Sequence, residues 1–198
     1  MRMNWKKVAR WVSLCLLFTS ASIAEDYSLR YFMEKSSLKT YELSKREKTE
    51  ILARVESMLE KSNEIQLSLT RTIQGGETDI KYQEGRFWMS KLEEDQMAID
   101  SGARQLKVLR EKPTQLVAAI RLYKALKDLS FHLNTYNNVP SFTAFIGDVA
   151  PELELWADPI FYRLYVLPLA RSLEAKTPKK DKKPEVKDKK PEVKGKKP

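Results

Sequence analysis

The chain is predicted to be an all-α protein: an antiparallel bundle of four to five helices followed by a disordered tail rich in lysine and proline. Three observations predict this. The tetrad Ser44-Lys45-Arg46-Glu47 has the form of a capping box, and Ile51, Val55, Met58, Ser62, Ile65 and Leu69 follow it at alternating four- and three-residue steps. Such spacing lines one face of a helix. Two apolar rows run side by side between Leu116 and Tyr136, a stripe wide enough to touch more than one neighbour. No run of strands with alternating polarity appears anywhere.

The elements follow in order. Tyr27, Leu29, Tyr31, Phe32, Leu38 and Tyr41 predict a short helix, or an extension of the long one that starts at Ser44. Gly75-Gly76 ends the long helix. Between Gly76 and Met89 only Ile80 and Tyr82 alternate with polar residues, so a small hairpin is weakly signalled there. A second capping-box pattern, Ser90-Lys91-Leu92-Glu93, opens a helix carrying Leu92, Ile99, Ala103, Leu106 and Leu109, which should end before Pro113. Gly102 inside it costs about 1 kcal/mol relative to alanine.

Pro113 suits the first turn of the next helix. Its rows are Leu116, Ile120, Tyr123 and Ala119, Leu122, Leu126, Leu129, Leu133, Tyr136, and it should sit most centrally in the bundle. Phe142, Phe145, Ile146 and Val149 predict a short buried helix among breakers. Asp158-Pro159 reads as an N-cap with proline at the first helical position. The last helix then carries Ile160, Phe161, Leu164, Tyr165, Leu167, Leu169 and Leu173, with Pro168 expected to kink or break it.

Both ends differ from this middle. Arg2, Lys6, Lys7 and Arg10 precede the short apolar run Trp11 to Phe18, and Ser22 and Ala24 supply small residues before Glu25. That is the layout of a cleavable secretory signal over 1–24. Trp11 to Ala24 is too short and too rich in hydroxyls for a retained span, so no transmembrane segment is expected after signal removal. The signal holds the one cysteine, Cys15, and the rest of the chain has no Asn-x-Ser/Thr acceptor, which leans toward a bacterial envelope protein, periplasmic or extracellular.

Residues 177–198 repeat Asp-Lys-Lys-Pro-Glu-Val-Lys from Asp181 and again from Asp188, with two valines as the only apolar side chains. Such a segment cannot bury enough surface to offset its ordering entropy. Its lysines, Lys179, Lys180, Lys182, Lys183, Lys189, Lys190, Lys196 and Lys197, make it a candidate electrostatic tether to an anionic surface polymer or an envelope protein.

Charge partitions the same way. The net +9 is carried by four cations in the signal and, from Lys176 on, eleven lysines against four acids. The helical domain, 25–176, is close to neutral, with 21 basic and 23 acidic residues between Glu25 and Ala175. It has no basic patch of the kind nucleic acid requires. About 150 residues can bury an independent core without metal or disulfide.

Chemistry is sparse. One histidine, His132, and no cysteine beyond the signal exclude zinc sites built from several Cys or His ligands, the di-iron site with paired Glu-x-x-His motifs, and a thiol nucleophile. No cofactor or metal is therefore expected, and His132 reads as a partly buried, hydrogen-bonded structural residue. Glu93-Glu94-Asp95 is the densest acid cluster; its place in a first helical turn explains it electrostatically. The aromatics Phe87, Trp88, Trp156, Tyr162 and Tyr165 are the candidate partner or ligand surface. The resulting expectation is an exported, non-catalytic binding or scaffolding protein. A small-ligand or lipid carrier using the bundle core and a carboxylate-dependent hydrolase or lyase are the alternatives.

Overall fold

The structure is a computed structural model, and it describes residues 27–38, 40–76 and 82–176. The expected signal (1–24), the tail (177–198) with its tether lysines, and Ile80 lie outside the described residues. Every element among the described residues is helical: α1 (Leu29–Ser36), α2 (Lys45–Gly75), α3 (Tyr82–Glu111), α4 (Leu116–Tyr136), α5 (Pro140–Ile146) and a final rod. The rod runs as α6 (Val149–Leu155), a π-helical segment (Trp156–Val166) and α7 (Leu167–Lys176). Among the described residues, no helix is long and apolar enough to cross a membrane.

Helix α2 starts where the capping box places it. Ser44 Oγ accepts from the Glu47 amide at 3.2 Å, and the Ser44 amide donates to Glu47 Oε2 at 2.8 Å. Its far end is Gly76 in the left-handed region (φ 69°), a conformation that favours glycine. The whole predicted stripe from Ile51 to Leu69 is buried, including Ser62, whose hydroxyl donates to the Met58 carbonyl at 2.8 Å.

Glu47 does more than cap. The Tyr31 hydroxyl donates to its Oε1 at 2.6 Å, and the Tyr41 hydroxyl donates to the same oxygen. Burial by itself pushes this carboxyl up, but the bonds from Tyr31, Tyr41 and Ser44 outweigh it and hold the group at about 2. A depressed carboxylate contributes stability above its unfolded pKa and loses it as pH falls toward the folded value. In urea melts, Glu47→Gln should therefore cost on the order of 2 kcal/mol at pH 6, and progressively less between pH 4.5 and pH 2. A difference that stays constant with pH would contradict this reading.

Consecutive long helices are antiparallel. Between α2 and α3, Arg110 grips the Glu56 carboxylate with both guanidinium nitrogens, and Gln66 donates to the Leu92 carbonyl at 3.2 Å. Between them Gly102 faces Leu59. A β-carbon on Gly102 would lie 2.9 Å from a Leu59 methyl, so the glycine that weakens α3 locally is what lets the two helices approach. Asp95 on α3 meets His132 on α4, and Tyr123 on α4 meets Asp158 on the rod at 2.6 Å. Helix α4 packs on α3, on the short α5 and on the rod, and is the most central element, as its wide stripe predicts. Helix α1 closes the assembly against the π segment, where Phe32 meets Trp156 edge-on at 5.8 Å.

Four boundaries differ from the expectation. Ser90-Lys91-Leu92-Glu93 is not a helix start, because α3 already runs from Tyr82 and occupies part of the stretch where a hairpin was weakly signalled. Pro113 lies in a turn ahead of α4, whose N-cap is Gln115, and the Pro113 carbonyl accepts the Tyr165 hydroxyl at 3.0 Å. Asp158 does not cap a helix; it lies inside the π segment and bonds Lys127 (2.5 Å) and Tyr123 instead of backbone. Pro159 and Pro168 do not break the rod. A proline in an α-helix lacks an amide proton and crowds the carbonyl four residues back; here Pro159 lies within the i to i+5 turns and Pro168 directly follows them.

Candidate functional site

The polar centre of the molecule lies between α3 and α4. The core stripe of α3 is Leu92, Asp95, Ile99, Gly102, Leu106 and Leu109, so its spacing carries an acid to a core position. Asp95 is 2 % exposed. A buried carboxylate is costly unless its oxygens find donors, and α4 supplies both. His132 Nδ1 lies 2.5 Å from Oδ1, and the Tyr136 hydroxyl donates to Oδ2 at 2.5 Å.

Burial pushes the Asp95 carboxyl above its ordinary value, with the bonds from Tyr136 and His132 opposing. The Tyr136 hydroxyl is pushed up as well, by burial first and then by the charge of Asp95. The Asp95 contact at Nδ1 orients the His132 ring and leaves Nε2 as its other polar atom.

His132 is 17 % exposed at its side chain. It borders an open groove of about 520 Å³ whose walls include Glu94, Met97, Ser101, Arg121 and Lys124. Glu94 Oε2 lies 4.0 Å from His132 Nε2 and is bonded to Lys91 at 2.8 Å; that bond, more than the nearby histidine, holds the Glu94 carboxyl below its ordinary value. Glu93 is exposed. The three consecutive acids thus differ in burial, with Asp95 in the core, Glu94 at the groove and Glu93 in solvent, and both Asp95 and Glu94 lie against His132. Among the described residues, no group of three or more His, Cys, Asp or Glu side chains could hold a metal ion.

The aromatic set separates into three places. Phe87 is 54 % exposed and packs edge-on against the half-buried Trp88 at 4.9 Å. Trp88 packs in turn on Tyr136 (5.7 Å) and Phe142 (5.6 Å), so these two belong to the same end of α3 and α4 as the Asp95 network. Trp156 and Tyr165 are core residues, 2 % and 1 % exposed, and form no partner surface. Tyr165 stacks on Phe161 at 5.1 Å, and burial pushes its hydroxyl up to about 12. Tyr162 alone of the four rod aromatics faces outward, beside Tyr123 at 5.0 Å. An exposed residue that sequence reasoning passed over completes the α3–α4 surface: Phe131, 70 % exposed beside His132.

The chain matches no protein-family model, no curated protein and no solved structure.

Proposed function

We propose that the chain is a non-catalytic binding module of the cell envelope. In this reading 1–24 exports it, the lysine-rich tail holds it near an anionic surface polymer, and the α3–α4 surface docks an envelope protein. The observation that carries the docking role is His132, fixed by a buried acid, with exposed Phe131 packed beside it and exposed Met97 on the same groove. Apolar side chains left in solvent around one oriented polar atom match the composition of a partner interface. A complementary segment would cover the apolar residues and form one hydrogen bond with Nε2. The groove beside His132 is open at the surface, and the interior is filled by Trp156, Tyr136, Phe32 and Phe142, which favours this reading over a carrier with a lipid in its core.

The test is envelope sedimentation at low and high salt. Removing 177–198 should release the protein at low salt, and high salt should release the intact chain, because exposed charge interactions are screened. Replacing Phe131 and Met97 together with Glu should abolish crosslinking to the envelope partner while leaving the salt response intact. Identical partitioning of intact and tailless protein would rule out the tether.

A hydrolytic reading has one observation in its favour, the Asp95–His132 pair with Nε2 on a groove. Turnover of nitrophenyl acetate or nitrophenyl phosphate that disappears in His132→Gln would favour it over the binding module.

A further inference from the structure

A second groove, of about 870 Å³, lies between the α1–α2 connection and the outer face of the rod. Its apolar floor is Leu38, Leu164, Leu167 and Pro168, and Tyr162 forms part of its wall. Two guanidinium groups, Arg163 and Arg171, line it, and neither forms an ion pair among the described residues. Arg163 acts on Asp158 only at longer range, since that carboxylate is already bonded to Lys127 and Tyr123. Among the described residues the one acid on the groove is Glu42, so the two arginines outnumber it.

Of the six hydroxyls around the groove, those of Thr40 and Tyr162 face no acceptor among the described residues, and the other four are committed elsewhere. Ser36 donates to the Met33 carbonyl and Ser37 to the Glu34 carbonyl. Ser172 donates to the Leu169 carbonyl, and Tyr41 to Glu47. The donors left for a ligand are therefore the two arginine forks, which carry the charge, and the hydroxyls of Thr40 and Tyr162. Forks of this geometry match planar or tetrahedral oxyanions, which accept and do not donate.

From this arrangement we propose that the groove binds an amphiphile whose phosphate or carboxylate head is held by Arg163 and Arg171 and whose apolar body lies on Leu38, Leu164 and Leu167. The site uses elements other than the α3–α4 surface, so it stands or falls independently of the docking role above.

Calorimetric titration of the purified protein with dodecyl phosphate, dodecyltrimethylammonium and inorganic phosphate tests it. The comparison is between the native chain, an Arg163→Gln/Arg171→Gln variant and a charge-matched control, Arg54→Gln/Arg104→Gln, at exposed positions that do not line the groove. The native chain and the control should bind dodecyl phosphate at least about 10-fold more tightly than the double variant. Tail lysines contribute equally to all three proteins, so the difference reports the groove. The methyl resonances of Leu164 and Leu167 should move on titration with dodecyl phosphate in the native chain and stay fixed in the double variant. Equal affinity of native and variant proteins would overturn the proposal, as would equal affinity for the cationic amphiphile. Inorganic phosphate binding as tightly as dodecyl phosphate would assign the arginines to a free ion and overturn the amphiphile.

Discussion

Asp95→Ala is expected to lower the unfolding free energy by about 3 kcal/mol. The substitution removes one side chain and strands two others. The Tyr136 hydroxyl loses its acceptor inside the core, and His132 Nδ1 loses the partner that fixes its ring. Asp95→Asn keeps the volume and one carbonyl acceptor, so it should recover about half of the loss. Tyr136→Phe removes a single bond and should cost about 1 kcal/mol. Urea denaturation followed by circular dichroism measures all three. If Asp95→Ala lies within about 0.5 kcal/mol of the native protein, the network does not hold α3 against α4, and the case for an oriented His132 is lost with it.

Trp156→Ala should be the most damaging single truncation, at about 3–5 kcal/mol and about 10 °C in the melting temperature. The indole is sealed beneath α1, edge-on to Phe32, at the start of the π segment. Phe87→Ala, by contrast, should change stability by no more than about 0.5 kcal/mol, because Phe87 is largely in solvent. Thermal melts of the two variants separate the core aromatic from the surface one. A Trp156→Ala protein that melts with the native chain would place the indole outside the core.

The features readable from sequence were those set by local spacing. The Ser44 capping box, the stripe from Ile51 to Leu69 and the α4 row from Ala119 to Tyr136 depend on residues a few positions apart and are found as expected. The second α4 row instead stays at the surface, with Ile120 exposed and Leu116 and Tyr123 only partly buried. What misled was local chemistry overruled by neighbours. Ser90 resembles a cap but sits in a helix that already runs from Tyr82, and Asp158 turns to Lys127 and Tyr123 across the bundle. Trp156 and Tyr162 belong to one rod, yet the first is inside and the second outside. No composition argument separates them, because the phase of the π turns decides. His132 and Asp95 lie 37 residues apart, so their meeting is a matter of packing. One signal was available: continuing the three- and four-residue rhythm of α3 from Leu92 to Ile99 passes through Asp95, and an acid in register with the core calls for a buried partner.

The contact between α1 and the π segment joins the two ends of the described chain. The pairs α2–α3 and α3–α4 join neighbours across short connections and can close early, whereas α1 finds its partner only after the chain between them has been gathered in. The contact of α1 with the π segment is thus expected to form late in folding and to open early, although Tyr31 ties α1 locally to Glu47. The arginine-lined groove takes one wall from the α1–α2 connection and the other from the rod, so it exists only while that late contact holds. A ligand seated there would act as a clasp, suppressing the opening of the least protected end of the molecule in proportion to its own affinity.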